Sequence, residues 1–281
     1  MEKLIDMHTH TTYSDGEKTP DELIAYAKSR GIGTISITDH NNVNAYKHIT
    51  IKDDINIIPG IELTAKDGIG KMHILGYGID PYNRELSKIT KELKESDIDF
   101  LLILIDKLKE KGVRILSKDI SLLINQEGAV GRGTLARLLV DYGYADTIND
   151  VFKLYIDDIY SKISYMRKTL TYEECLEAIS NAGGISILAH PYTLNRDYRE
   201  VERLVVEMIP KGLKGIEVYH SKHSKRYRKK LIDLVSRYDL LYSVGSDYHG
   251  EIIKPDIEIG SGKQKNLCLT RCTALDYLKN R

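Results

Sequence analysis

The chain has 281 residues, of which 42% are apolar and 29% charged, with 41 basic and 41 acidic side chains. That length suits one large barrel domain or a barrel with an insertion, and the composition excludes a disordered or fibrous chain. Zero net charge excludes bulk, sequence-independent binding of long nucleic acid, which shows as a basic surplus, but leaves room for a local basic patch.

Seven runs read as buried parallel strands: 3–8, 33–39, 55–63, 73–79, 184–189, 215–219 and 241–246. They are rich in Ile, Val and Leu without strict alternation, as expected where both faces are covered. Amphipathic helices fall between most of them. Thr19-Pro20-Asp21-Glu22 opens the first with a capping box, and Gly31 ends it. From residue 83 to 162 only helical periodicity is visible, with Leu86, Ile89, Leu93, Leu101, Leu104 and Leu108 on one face and two more helices between Gly131 and Asp158. This stretch reads as a helical insertion after the fourth strand, a cap over the barrel mouth, with 1–82 and 163–281 forming the barrel domain. Thr171-Tyr172-Glu173-Glu174 repeats the capping box before the fifth strand. The fold class is therefore α/β, a barrel or open sheet.

Cys175, Cys268 and Cys272 form no CxxC pair and fit a reduced protein. The residues from Met1 to Asp6 carry no apolar run of signal-peptide length, and no segment reaches the length of a membrane span. The expected location is the cytoplasm, with no membrane partner and no obligate protein partner evident.

Seven of the nine histidines fall at the end of an expected strand: His8, His10, His40, His73, His190, His220 and His249. In parallel α/β folds that edge binds ligands. His8-Thr9-His10 sets two imidazoles at i and i+2, on one face of a strand, and Asp247-Tyr248-His249 repeats the spacing at the last strand. Asp15 lies on the turn ending in Gly16, Asp39-His40 ends the second strand, and Glu62 ends the third. His73 begins the fourth, and His190 ends the fifth in Ala-His-Pro. The nine candidate ligands are thus His8, His10, Asp15, His40, Glu62, His73, His190, Asp247 and His249. One catalytic zinc takes three protein ligands, so nine imply two or three metals. Imidazole and carboxylate without thiolate suit Mn²⁺, Fe²⁺ or Zn²⁺.

The pattern HxH…D…DH…E…H…AHP…SDxH resembles the PHP (polymerase and histidinol phosphatase) superfamily of metal-dependent phosphoesterases. It looks closest to the stand-alone bacterial branch that hydrolyses nucleotide monophosphates and short oligonucleotides. The resemblance covers Met1–Asp80 and Gly184–Gly250. It implies a distorted (β/α)7 barrel and a trinuclear site. One metal would take His8, His10, Glu62 and Asp247; a second would share Glu62 and add His73 and His190; the third would take Asp15, His40 and His249. Asp39 would orient a ligating imidazole. His220 would touch substrate or donate a proton.

The insertion departs from the branch pattern. Gly131-Arg132-Gly133-Thr134-Leu135-Ala136-Arg137 keeps Arg132 as a phosphate-clamp candidate but carries Thr134 where a histidine is expected. Asp157-Asp158-Ile159-Tyr160-Ser161-Lys162 replaces a Gly-Arg-Gly-Lys-Pro run, which disfavours a polyanion there. Lys162 and Arg167 are further candidate charges. The run from Lys222 to Lys230 suits either a nucleotide's phosphates or a solvated helix face.

The expected reaction is hydrolysis of phosphomonoesters, of AMP-like nucleotides or 3',5'-bisphosphonucleotides, by a metal-bridging hydroxide. The alternative is 5'-3' exonuclease action on short RNA. A less favoured alternative, an amidohydrolase-type C–N hydrolase, also opens on HxH, but Glu62 stands where its bridging carboxylated Lys is usual, and Asp15, His40 and His249 have no simple place there. A non-catalytic scaffold would have lost ligands, and all nine are present.

Overall fold

The Ile- and Val-rich runs fold as strands because each can bury β-branched side chains against covering helices. A computed structural model describes residues 2–51, 55–128 and 130–281. Its main sheet contains β1 (Leu4–Thr9), β2 (Ile32–Ile37), β3 (Asn56–Lys66), β4 (Lys71–Tyr77), β5 (Leu170–Thr171), β6 (Ile185–Leu188), β7 (Gly215–His220) and β8 (Leu241–Gly245). The order is β1-β2-β3-β4-β6-β7-β8, with β5 beside β3. The two ends meet. Thr9 bridges Tyr248 in parallel, Asp247 N donates to His8 O at 2.9 Å, and His10 N donates to Tyr248 O at 3.0 Å. Asp6, fully buried, reinforces this seam by accepting from Ser246 N and Gly260 N. The result is a nearly closed barrel of seven strands with helices around it, a distorted (β/α)7 form.

One strand departs from the expected direction. β4 runs antiparallel to both β3 and β6. Only Asp67 to Gly70 separate β3 from β4, and a parallel crossover needs a dozen or more residues. The reversal has a functional consequence. His73 lies near the start of β4, not the end, yet the antiparallel pairing sets it opposite Thr64, diagonal to Glu62.

The chain divides into two compact units, Met1–Lys88 with Leu170–Arg281, and Ile89–Thr169. In the first, Ile5, Met7, Leu75, Ile187, Val244 and Leu275 fill one core, while Leu23, Ile24, Ile35 and Ile37 fill another. The helix Pro20–Ser29 has the Thr19–Glu22 capping box, and Tyr172–Asn181 has the same device from Thr171 and Glu174. The boundary of the second unit falls inside the 27-residue helix Arg84–Glu110. This unit adds Ser117–Asn125, absent from the sequence reading, then Arg132–Asp141 and a run from Ile148 to Ile163 that passes through a π-helical turn at Phe152–Ile156. Leu101, Leu104, Leu108, Leu135, Leu139 and Ile156 form its core. Among the described residues no helix is long and apolar enough to cross a membrane.

Candidate metal centre

The centre is built around one buried carboxylate. Glu62 lies on β3, completely inaccessible to solvent, where His40 bridges it from the end of β2. Its Oε2 lies 3.1 Å from His8 Nε2, 3.2 Å from His10 Nε2 and 3.1 Å from His40 Nδ1. Its Oε1 lies 2.8 Å from His73 Nδ1 and 2.9 Å from His190 Nε2. Strand alternation explains the first pair: Asp6, His8 and His10 share one face of β1, while Ile5 and Met7 face the apolar core. Gly245 of β8 allows the close approach, since a Cβ there would stand 2.1 Å from that of His8.

Asp247 closes one side. Its Oδ1 lies 3.6 Å from His8 Nε2, 3.4 Å from His10 Nε2 and 3.5 Å from His249 Nδ1. Asp15, half exposed, completes the other side, 3.2 Å from His249 Nε2, 3.6 Å from His10 Nδ1 and 3.9 Å from His40 Nε2. Two of these residues sit at strained backbone angles, His190 at φ 25° and Asp247 at φ 60°. Such strain persists only where the surroundings enforce it, and it concentrates at functional sites.

A second ring of polar groups fixes which nitrogen each imidazole presents. Glu217 accepts from His8 Nδ1 at 2.9 Å, so the Nε2 of a neutral His8 carries the free lone pair. Ser14 Oγ donates to Asp39 and therefore accepts from His10 Nδ1 at 3.1 Å. Thr193 Oγ1 donates to His190 O and accepts from His190 Nδ1 at 2.7 Å. In each case Nε2 is turned toward Glu62, the usual way a protein orients a ligating imidazole. Asp39, expected to orient a ligating imidazole, reaches His10 through one hydroxyl: its carboxylate takes Thr11 N, Thr11 Oγ1 and Ser14 Oγ. His220 holds its proton on Nε2, 3.4 Å from Asp247 Oδ2, because its Nδ1 accepts from Lys222 N.

The donor set fits metal ions. His10 Nε2, His40 Nδ1 and His73 Nδ1 are buried without a hydrogen-bond partner, although each is within 3.2 Å of a Glu62 oxygen. Burying such groups unmatched is costly unless something else binds them. Ligand atoms gather within 4.8 Å of one another in three groups: His8, His10 and Glu62; His40, Glu62 and His73; and His10, Asp15, His40 and His249. His10 and His40 thus each belong to two groups, unlike the single assignments implied by the family resemblance. The cluster also has a surplus of negative charge. Burial opposes protonation of His10, yet Asp247 and Glu62 raise it to about 9. Glu217 and Glu62 likewise raise His8 well above its ordinary range against burial, whereas burial pushes His40 down to about 3. Burial works against ionising Asp247 too, but Lys254 and His249 hold its carboxyl well below the usual range, ionised as ligation requires.

The remaining expected residues lie elsewhere. Arg132 belongs to the helical unit, where its guanidinium stacks 3.6 Å from the Tyr160 ring centre. Neither Gly131 nor Gly133 is needed for backbone freedom there, since a Cβ on either meets nothing within 4 Å. Lys162 pairs with Asp158 and Arg167 with Asp97, which commits both to acidic neighbours. In the basic run, Arg228 turns inward to Asn266 O and His220 O, while Lys222, Lys225, Arg226, Lys229 and Lys230 are exposed. Sequence reasoning missed Glu217, Thr193, Ser14 and Lys254. Glu217 had a signal: it is the one acid in the otherwise apolar run from Gly215 to Val218.

The model of the PHP domain matches residues 6–221. The chain belongs to the PHP domain family. Among its relatives is a 5'-3' exoribonuclease, Rnm, of Escherichia coli, 31% identical over 265 residues, covering 92% of this chain and 88% of that one. A 3',5'-nucleoside bisphosphate phosphatase of Chromobacterium violaceum is 28% identical over 249 residues, covering 87% of each. A solved Bifidobacterium adolescentis structure, described as a candidate metal-dependent phosphoesterase, superposes with a TM-score of 0.78 at 26% identity, covering 98% of this chain and 94% of that one.

Proposed function

We propose that this metal-dependent phosphoesterase hydrolyses phosphomonoesters of nucleotides, AMP-like or 3',5'-bisphosphonucleotides. The observation that carries the reading is the convergence of five imidazoles on Glu62, three of them with buried, unpartnered nitrogens. Two or three ions of Mn²⁺, Fe²⁺ or Zn²⁺ would be held by His8, His10, Asp15, His40, Glu62, His73, His190, Asp247 and His249. When bound, such ions lower the pKa of a water toward neutrality and neutralise charge on phosphoryl oxygens.

The chain's own residues supply the rest. Glu217, Ser14 and Thr193 keep three imidazoles in the ligating tautomer. His220 presents an N–H on Nε2 toward the centre and is our candidate for touching the substrate at its departing oxygen. Arg132 is our candidate for gripping a phosphate, since its only described side-chain contacts are aromatic rings. The second reading, 5'-3' cleavage of short RNA, is favoured by the exposed cations Lys222, Lys225, Arg226 and Lys229, for which no acidic partner is described.

Phosphate release from AMP, a 3',5'-bisphosphonucleoside, histidinol phosphate and short 5'-phosphorylated RNA separates the two. Our reading expects the highest kcat/KM on a mononucleotide. Nucleotide-by-nucleotide shortening of the RNA at higher kcat/KM would replace it with the second reading.

A further inference from the structure

The two oxygens of Asp247 have different surroundings. Oδ1 faces the imidazoles of His8, His10 and His249, the side on which a cation would be held. Oδ2 is held by Lys254 Nζ at 2.7 Å and His220 Nε2 at 3.4 Å. A free carboxylate can give a metal one oxygen or both, and the choice changes the coordination left for water and substrate. We infer that Lys254 is a positioning residue that, with His220, restrains Asp247 Oδ2 and leaves Oδ1 as the ligand.

Lys254 is placed for this by a built loop rather than by chance on a flexible surface. Its N–H donates to Gly250 O at 3.0 Å, and Nζ also reaches Asp247 O at 3.4 Å. Glu17 pins the same loop by accepting from Ile252 N and Ile253 N at 2.6 Å each, while its own N–H donates to His249 O at 2.8 Å. Gly250 makes this packing possible. It adopts φ 120°, and a Cβ there would stand 2.2 Å from the Glu17 carboxyl carbon. An ammonium has three donors and no acceptor, so it can only hold Oδ2 and cannot itself take a place at the metal. The bond is charge-assisted, stronger than a neutral one. Asp247 also sits at a strained φ of 60°, a backbone angle that persists only where the surrounding loop enforces it.

Two effects of the lysine oppose each other. Its charge repels a nearby cation, so simple electrostatics predicts that removing it tightens metal binding. Orientation predicts the reverse, because groups that hold ligands in place typically contribute about 10-fold or more to metal affinity. The inference commits to orientation.

It rests on Asp247 being a ligand, as proposed above, and its test separates the two claims. Free Mn²⁺ is followed by its EPR signal during titration of wild type, Lys254→Met and Lys254→Arg, with thermal unfolding as a check on folding. Wild type should bind Mn²⁺, Lys254→Met should weaken the loosest-held ion by about 10-fold, and Lys254→Arg should recover most of the loss. Equal or tighter binding by a folded Lys254→Met protein overturns the positioning role alone. A wild-type protein that binds no Mn²⁺, and takes up no Fe²⁺ or Zn²⁺ by elemental analysis, overturns the metal reading itself.

Discussion

Glu217→Gln changes one atom of a residue that is not itself an expected ligand, yet it should disable the centre. Glu217 Oε1 accepts from His8 Nδ1 at 2.9 Å and Oε2 accepts from His190 N at 2.7 Å, with the side chain fully buried. A glutamine has one oxygen for these two donors. If the oxygen serves the His190 backbone, the amide NH₂ faces His8 Nδ1, and His8 must move its proton to Nε2, the atom that points at Glu62. If the oxygen serves His8, the His190 N–H faces another donor at a cost of about 1–3 kcal/mol. In the first case the ligating lone pair is lost, and the loss of a partner to a ligating imidazole typically weakens binding about 10–100-fold, about 1.4–2.7 kcal/mol. Isothermal titration of metal-free protein with Mn²⁺ measures this directly. A folded variant with wild-type affinity would refute the claim that Glu217 sets the His8 tautomer.

Three further outcomes are expected. Arg132→Ala should leave metal content unchanged and lower kcat/KM by about 100-fold, about 2.7 kcal/mol, with Arg137→Ala as the quieter control; steady-state kinetics that show the opposite ranking remove Arg132 from substrate binding. Reversing charge at Lys222, Lys225 and Arg226 to Glu should reduce turnover of short RNA far more than that of AMP, mimicking added salt, and equal losses would return these residues to a solvated helix face. Asp67, which accepts from Ile69 N, Gly70 N and Arg196 at the β3–β4 turn, is lowered to about 2, with the Arg196 bond the largest cause. A depressed carboxyl stabilises the fold above its unfolded value near 4 and loses that contribution as pH falls toward 2. Arg196→Ala should therefore cost about 1 kcal/mol in urea unfolding at pH 7, since the backbone donors Ile69 and Gly70 keep part of the depression, with the difference shrinking below pH 4. A difference that stays constant from pH 7 to pH 2.5 would contradict this.

Much of the barrel was legible because local rules agreed with the fold. The capping boxes at Thr19 and Thr171 mark helix starts, and His8-Thr9-His10 declares two candidate ligands on one strand face. The direction of β4 was not legible, because an apolar run such as Met72 to Tyr77 looks the same in either sense. The turn held the clue: four residues from Asp67 to Gly70 cannot make a parallel crossover. The groups that orient the imidazoles were harder to see. Ser14, Thr193 and Glu217 act over three-dimensional distances, and Glu217 lies 209 residues from His8. Lys254 sits beyond the SDxH segment, in a loop whose course depends on Glu17 at the far end of the chain. Pairings at such separations carry no periodic signal, and only the closed barrel brings them together.

The most direct test combines metal content and phosphate release on one preparation of wild type and Glu62→Gln. Glu62 contacts five imidazoles, so an amide in its place should disturb more than one metal position at once. The account predicts that wild type expressed with added Mn²⁺ carries two or three equivalents and releases phosphate from a 3',5'-bisphosphonucleoside, both lost on chelation, while the variant holds at most one equivalent and is inactive. Undiminished turnover by chelated wild type, or by Glu62→Gln, would contradict it.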